Sequence, residues 1–197
     1  MDRYLLFWII TAILGKFGIK LSDGKNKNVL ILSNGLLPCI FLFVIAGIRS
    51  LSVGSDNIAY AYYFLRMTIE KIHLFSRGEY WVYNLWVYII RSITDNMIIF
   101  NIVCAAVVYF SLYIFIRSFS EDERLSVLLF FSLGYFFTAM NQTRQAMAIA
   151  ILLLGFCFLM RKKAIEALLL CFIASFVHNV AIVMIPVYIF FCYCTSC

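Results

Sequence analysis

The sequence predicts an all-α, polytopic membrane helix bundle with about six spans and interfacial helices on its outer face. The 197-residue chain is 64% hydrophobic and only 13% charged. Its mean hydropathy is +0.97. A water-soluble domain of this length cannot bury so much apolar surface, so a lipid bilayer is the expected environment. Because backbone polar groups in lipid must be satisfied within the segment, each span is expected to be a helix.

Apolar runs define the spans in chain order. Crossing a hydrocarbon core of ~30 Å takes ~20 apolar residues in a helix. The first run resembles a signal peptide, but no small-residue cleavage site follows it, so it is interpreted as a retained span. Repeats, low-complexity tracts and soluble linkers are absent, which predicts a single integral membrane domain over residues 1–197. The predicted spans are 4–19, 29–48, 97–116, 125–140, 146–160 and 167–191.

Basic residues in the short loops predict the orientation. They are Lys16, Lys20, Lys25 and Lys27, then Arg117 and Arg124, then Arg161, Lys162 and Lys163. The positive-inside rule places these three loops in the cytoplasm, so that 49–96 and 141–145 face outward. The net charge of +6 thus resides largely in membrane-anchoring loops, and no nucleic acid is expected as a partner.

The outward segment 57–96 is too polar for ordinary spans. Its stretch "EYWVYNLWVYII" (79–90) is rich in tyrosine and tryptophan, which prefer the membrane–water interface. We expect two helices there, over roughly 57–75 and 79–93, lying in or dipping into the interface. They form either an ordinary aromatic belt or the floor of an outward-facing active site.

Two arginines fall at the outer membrane boundary. Arg49 ends the second span and Arg144 lies in the turn between the fourth and fifth spans. Two guanidinium groups at one face suit a phosphate or pyrophosphate, because each offers a planar fork of donors. The alternative is a pair of arginines that snorkel to the headgroups.

Other polar residues at membrane boundaries or within apolar runs have two interpretations each. Asp56 either caps a helix beginning near Asn57 or orients or deprotonates a sugar hydroxyl. His178 interrupts the last apolar run and either is a hydrogen-bonded core residue or lines an outward cavity. Glu79 is interpreted as a solvated residue at a helix N-terminus.

The sequence contains no nucleotide-binding motif and no hydrolase-like serine, histidine and aspartate set. Cysteines inside apolar runs act as small hydrophobes. The tail cysteines Cys192, Cys194 and Cys197 are too few for a supported metal site, and neither metal nor other cofactor is expected. Any chemistry would therefore use a substrate that arrives already activated.

Four blocks carry a family resemblance. They are "GIRSLSVGSDNIAYAYYF" (47–64), "RGEYWVYNLWVYII" (77–90), "MNQTRQAMAIAILLLGF" (140–156) and "FIASFVHNVAIVMIPVY" (172–188). Their order and spacing resemble the EpsG family of the Wzy-type polysaccharide (O-antigen) polymerases. The family usually shows Phe-His directly, whereas Val177 separates Phe176 from His178 here.

The resemblance implies a multi-pass, GT-C-like glycosyltransferase of the bacterial cytoplasmic (inner) membrane. Such an enzyme joins oligosaccharide repeat units carried on undecaprenyl pyrophosphate, for O-antigen, capsule or exopolysaccharide, at the outer face. Membrane lipid, a chain-length regulator and a flippase are the other implied partners. Family members are generally longer, so an N-terminal portion or a truncated member is expected.

The resemblance also implies residue roles. Arg49 and Arg144 would hold the pyrophosphate, and Asp56 would orient or deprotonate the acceptor hydroxyl, with His178 as the competing catalytic candidate. The other substrate-binding residues implied are Gln145, Tyr60 and Glu79. The alternatives to a polymerase are a lipid-linked glycan transporter or flippase, an O-antigen ligase, and an inactive membrane fragment.

Overall fold

The chain is helical throughout the ranges that the structure describes. The computed structural model describes residues 2–17, 35–54, 56–68 and 80–196, with side chains for all but 2–4, 15–17 and 192–196. These residues form ten α-helices and one 3₁₀ helix. In order they are α1 (Asp2–Phe17), α2 (Leu36–Gly47), α3 (Asn57–Leu65), α4 (Trp81–Ile93), α5 (Met97–Phe119), α6 (Glu123–Ser132), α7 (Tyr135–Asn141), α8 (Thr143–Met160), α9 (Ala164–Val177), the 3₁₀ helix (Asn179–Val183) and α10 (Met184–Ser196). The predicted all-α membrane bundle is confirmed.

Two of the described helices, α5 and α8, are long and apolar enough to cross a membrane. Helices α6 and α7 together make a third candidate, although they are bent by 61° at their junction. Further apolar segments of 10–17 residues are shorter than a full crossing. They are Leu5–Leu14, Leu36–Gly47, Ala164–Val177 and Asn179–Phe191. The count of six spans therefore stays a prediction.

Helices α5 and α8 pack on each other and form the centre of the bundle, with α2 against α5 and α9 against α8. Small residues allow the backbones to approach closely, as is common between helices in membranes. A side chain at Gly47 would lie 3.2 Å from the Cα of Ile102 on α5. A side chain at Gly155 on α8 would lie 3.3 Å from the carbonyl oxygen of Ala167 on α9.

The predicted span 125–140 is not one straight helix. It is divided into α6 and α7 at Gly134, whose φ of +82° lies in the left-handed region. Glycine adopts that conformation without the strain that a Cβ would add. The chain therefore changes direction there, and α7 ends beside the start of α8.

The predicted span 167–191 is also divided. Helix α9 ends at Val177, and the extended backbone of His178 (φ −151°, ψ 124°) leads into the 3₁₀ helix. The Nδ1 atom of His178 accepts the N–H of Val180 at 3.3 Å and so satisfies one donor exposed by the break. The interruption that the sequence placed at His178 is confirmed.

Within the described part of the segment predicted to face outward, two helices are shorter than predicted. The helix expected over 57–75 ends at Leu65, where the guanidinium of Arg66 stacks 4.0 Å above the ring of Tyr62. Residues 69–79 lie outside the described ranges. Helix α4 begins at Trp81, close to the prediction, and buries residues spaced three or four apart along one face, as an amphipathic helix does. Those residues are Tyr83, Asn84, Val87 and Ile90.

Hydrogen bonds join distant parts of the chain at the two ends of the bundle. At one end, Arg49 after α2 donates to Thr143 at the start of α8. At the other end, the N–H of Gly35 donates to Glu123 Oε2 at 2.9 Å. Which end faces the cytoplasm stays a prediction from the positive-inside rule.

Replacing Gly47 by valine is expected to separate α2 from α5, because the new Cβ would press on the backbone of Ile102 as well as on its side chain. Overpacking of this kind costs about 1–3 kcal/mol. Thermal unfolding of the purified protein in detergent would show a lowered midpoint.

Gly134→Asn is the matched control, because no atom lies within 4 Å of a Cβ there and asparagine tolerates positive φ. A midpoint lowered equally by both substitutions would contradict close packing at Gly47.

Candidate active site

Arg49 joins three parts of the chain at the predicted outer end. Its side chain is only 8% exposed. One terminal nitrogen, Nη1, donates to the Ala46 carbonyl of α2 at 3.1 Å. The other, Nη2, donates to Thr143 Oγ1 at 2.9 Å and to Asn57 Oδ1 at 3.4 Å. The guanidinium thus connects the end of α2, the start of α3 and the start of α8.

The loop between α2 and α3 is fixed by amide side chains. Asn57, which is fully buried, donates to the Ser50 carbonyl at 3.1 Å. Asn141 Oδ1 accepts the backbone N–H of Asp56 at 3.1 Å. A Cβ at Gly54, whose φ is +92°, would lie 2.9 Å from that same oxygen. Glycine is suited to this position because it adopts a positive φ without strain and leaves room for the side chain of Asn141.

Arg49 is a buried cation whose hydrogen-bond acceptors are neutral. Burial lowers the pKa of its guanidinium. A guanidinium still remains protonated in proteins. The C-terminal end of α2 carries partial negative charge, which favours a cation there. Its Nε has no hydrogen-bond partner among the described residues.

Beside this junction lies a cavity of about 360 Å³ between α3, α4 and the start of α8. We call it the tyrosine cavity. Its volume falls within the range of small-molecule sites. Its polar and charged lining residues are Asp56, Tyr60, Tyr63, Tyr80, Tyr83, Asn84 and Arg144.

Arg144 provides the cation of the tyrosine cavity. Its guanidinium carbon lies 3.9 Å from the centre of the Tyr80 ring and 5.8 Å from that of Tyr83, so it stacks on aromatic faces. Its Nε is buried and has no hydrogen-bond partner within the described ranges. The residue is also the second of α8, where the helix dipole favours an anion. A cation held by ring contacts keeps N–H donors available for a ligand.

The tyrosine hydroxyls are held in different ways. Tyr63 is hydrogen-bonded to Asn84 Oδ1. Tyr60 lies close to the backbone of Arg144. Tyr83 is only 2% exposed, and its hydroxyl has no partner among the described residues. Burial raises the pKa of Tyr60 and of Tyr63, so both stay neutral hydrogen-bond donors at neutral pH.

A second cavity, of about 470 Å³, contains Gln145 and His178 among mostly apolar residues of α8 and the 3₁₀ helix. We call it the histidine cavity. The His178 ring lies 6.0 Å from the ring of Tyr80, which itself lines the tyrosine cavity. The two cavities therefore flank the start of α8, with Arg144 in one and Gln145 in the other.

The structure brings Asp56, Tyr60 and Arg144 together in the tyrosine cavity. Arg49 is not among the residues that line this cavity, and its two terminal nitrogens donate to protein acceptors. Glu79 lies outside the described residues, so its predicted role remains a prediction.

The interpretation of Asp56 as a helix cap is wrong in part. Helix α3 does begin at Asn57, but the Asp56 side chain makes no capping hydrogen bond. The backbone N–H of Asp56 instead donates to Asn141.

Several lining residues were not identified individually from the sequence. Tyr80, Tyr83 and Asn84 belong to the aromatic stretch 79–90, which was recognised only as a block. Nothing in the local sequence around Thr143 and Asn57 identifies them as the side-chain acceptors of Arg49. Within the described ranges, no group of three or more histidine, cysteine, aspartate or glutamate residues is placed to hold a metal ion.

The EpsG family model matches residues 35–196. This range includes every element from α2 to α10 and all residues of both cavities. No curated protein and no solved structure matches the chain at a significant level.

Thr143→Val is expected to destabilise the protein, because it leaves Nη2 of a buried guanidinium without its shorter hydrogen bond. The loss should be about 1–3 kcal/mol, measured as a lowered midpoint of thermal unfolding.

Thr138→Val serves as the control, since Thr138 is exposed and donates only to the Gly134 carbonyl one turn back. If the two variants unfold at the same temperature, the Arg49–Thr143 hydrogen bond contributes nothing to the stability of the folded protein.

Proposed function

This membrane chain belongs to the EpsG family, and we propose that it is a polysaccharide polymerase. In this proposal it joins repeat units carried on undecaprenyl pyrophosphate at the outer face of the bacterial cytoplasmic membrane. One observation carries the proposal beyond the family match: a carboxylate, Asp56, and a guanidinium, Arg144, line the same tyrosine-walled cavity. Glycosyl transfer from a pyrophosphate needs both kinds of group.

Arg144 binds the pyrophosphate of the donor. Its buried Nε and terminal N–H groups offer donors to phosphate oxygens. As the bond from the anomeric carbon to the phosphate oxygen breaks, negative charge grows on the leaving group. A cation already fixed over Tyr80 stabilises that charge without rearranging.

Asp56 accepts the proton of the attacking hydroxyl. The hydroxyl belongs to the next lipid-linked repeat unit, and its oxygen forms the new bond to the anomeric carbon. The electron pair of the old bond leaves with the lipid pyrophosphate. The transfer needs no nucleotide, because the donor is already activated by its pyrophosphate leaving group.

The tyrosines bind the sugars. Their rings offer apolar faces, and the Tyr60 and Tyr83 hydroxyls and the Asn84 amide offer hydrogen-bonding groups for sugar hydroxyls. Gln145 and His178, in the histidine cavity, bind sugar units further from the reacting bond. The hydrocarbon chain of the carrier lipid lies in the surrounding bilayer.

Arg49 serves the same reaction by positioning. Its two side-chain acceptors are Asn57, which follows Asp56 in the chain, and Thr143, which precedes Arg144. One buried guanidinium therefore fixes the neighbours of both reacting residues. The direct contact with pyrophosphate expected for Arg49 stays a prediction, since its two terminal nitrogens already donate to protein acceptors.

Lysine substitutions separate binding from positioning. Arg144→Lys keeps the charge and loses the planar fork, so polymer formation from purified lipid-linked repeat units should fall by about 10²–10³-fold with no change in thermal midpoint. Arg49→Lys should lower both polymer formation and the midpoint. Polymer length would be followed as a ladder on gels.

Arg91→Lys is the matched control, because Arg91 pairs with the exposed Asp95 away from the cavity. Normal ladders with Arg144→Lys would contradict the proposed pyrophosphate contact. Single transfers instead of ladders in the native protein would indicate a ligase.

The choice of proton acceptor is tested by Asp56→Asn and His178→Gln. Loss of a general base typically costs ~10²–10⁴-fold, so Asp56→Asn should lose the ladder. His178→Gln should retain most of the rate and weaken only substrate binding. The reverse pattern would assign the proton transfer to His178.

A further inference from the structure

We propose that the end of the bundle opposite the tyrosine cavity binds an anionic phospholipid. The site combines a polar pocket of about 600 Å³ between the ends of α5 and α8 with an apolar cavity of about 430 Å³ between α2 and α5. The inference is independent of the proposed enzymatic function.

The polar pocket presents two guanidinium groups. Arg117, near the end of α5, and Arg161, directly after α8, both line it. The side chain of Arg117 is oriented by a hydrogen bond to the hydroxyl of Tyr113 at 2.9 Å. Neither arginine has an acidic ion-pair partner among the described residues. Two unpaired cations at one pocket suit a phosphate group.

Two neighbouring acidic residues, Asp122 and Glu123, have other partners. Asp122 caps α6 by accepting the N–H groups of Arg124 and Leu125 at 3.0 and 3.1 Å. Glu123 accepts the N–H of Gly35. The C-terminal ends of α5 and α8 carry partial negative charge, which disfavours an anion. The attraction for an anion must therefore come from the two guanidinium groups.

The apolar cavity continues from the polar pocket. Phe110 and Tyr113 line both of them. Beyond these residues the cavity is walled by apolar side chains of α2 and α5, including Ile40 and Ala106. Ile40 is 45% exposed and Phe110 is 66% exposed, so the cavity is open to lipid along its side. A charged head and an apolar tail would occupy adjoining spaces.

The length of the combined site matches one leaflet. Eleven positions separate Ala106 from Arg117 on α5, a rise of about 16 Å. Half of a hydrocarbon core is about 15 Å. A single acyl chain fits this distance, whereas a polyprenyl chain is far longer. The occupant is therefore an anionic glycerophospholipid of the leaflet that faces the basic loops.

Native mass spectrometry of the detergent-purified chain tests the site, with phosphatidylglycerol, phosphatidylcholine and undecaprenyl phosphate added separately. Phosphatidylglycerol should bind most tightly. The pair Arg117→Gln and Arg161→Gln should weaken its binding roughly 30-fold, the combined effect of two arginines near a phosphate. Ala106→Trp, which fills the apolar cavity, should weaken binding with all charges retained.

The matched control is the pair Lys162→Gln and Lys163→Gln, which makes the same change in charge at exposed positions beside the pocket. It should bind phosphatidylglycerol like the native chain. Equal losses in the two pairs would overturn the proposal, as would tighter binding of undecaprenyl phosphate or no effect of Ala106→Trp. Circular dichroism of each variant identifies loss of folding, and Ala106→Trp supplies the test if the arginine pair does not fold.

Discussion

The hydrogen bonds of one buried guanidinium hold the predicted outer end of this bundle together. Arg49 follows α2 after one residue, yet its side-chain acceptors belong to the start of α3 and the start of α8. A cation buried among neutral acceptors is stable only if those acceptors stay in place. The guanidinium therefore requires Asn57 and Thr143 to keep their positions. Their chain neighbours Asp56 and Arg144 then meet at the tyrosine cavity.

The proposed chemistry follows from how the second arginine differs from the first. Arg144 lies on the rings of Tyr80 and Tyr83, contacts that hold a cation without using its N–H groups. Arg49 instead directs its two terminal nitrogens to oxygen atoms of the protein. One guanidinium is thus suited to bind an anion and the other to fix the site. Separating these roles lets the binding group remain available while the fold around it stays rigid.

Much of the fold and part of the site could be predicted from the sequence. Apolar runs predicted helices because backbone polar groups in a bilayer must be hydrogen-bonded within their own segment. The polar pair that begins at His178 predicted a break in the last apolar run, and the structure contains it. The bend at Gly134 was missed, since a single glycine in an apolar run does not reveal its φ. The burial of Arg49 was also missed, because it depends on Thr143, which lies far along the chain and carries no local signal. The positive-inside rule put Asp56 and Arg144 at the same face, and the family resemblance gave them roles in one reaction.

Arg49 is expected to hold positions 56 and 144 in one fixed arrangement. Spin labels at cysteines introduced at both positions, in a background without native cysteines, measure this directly by electron paramagnetic resonance. With Arg49 present, the account predicts a single narrow distance distribution, and with Arg49→Met a broad one. A distribution that stays narrow and unchanged in Arg49→Met would contradict it.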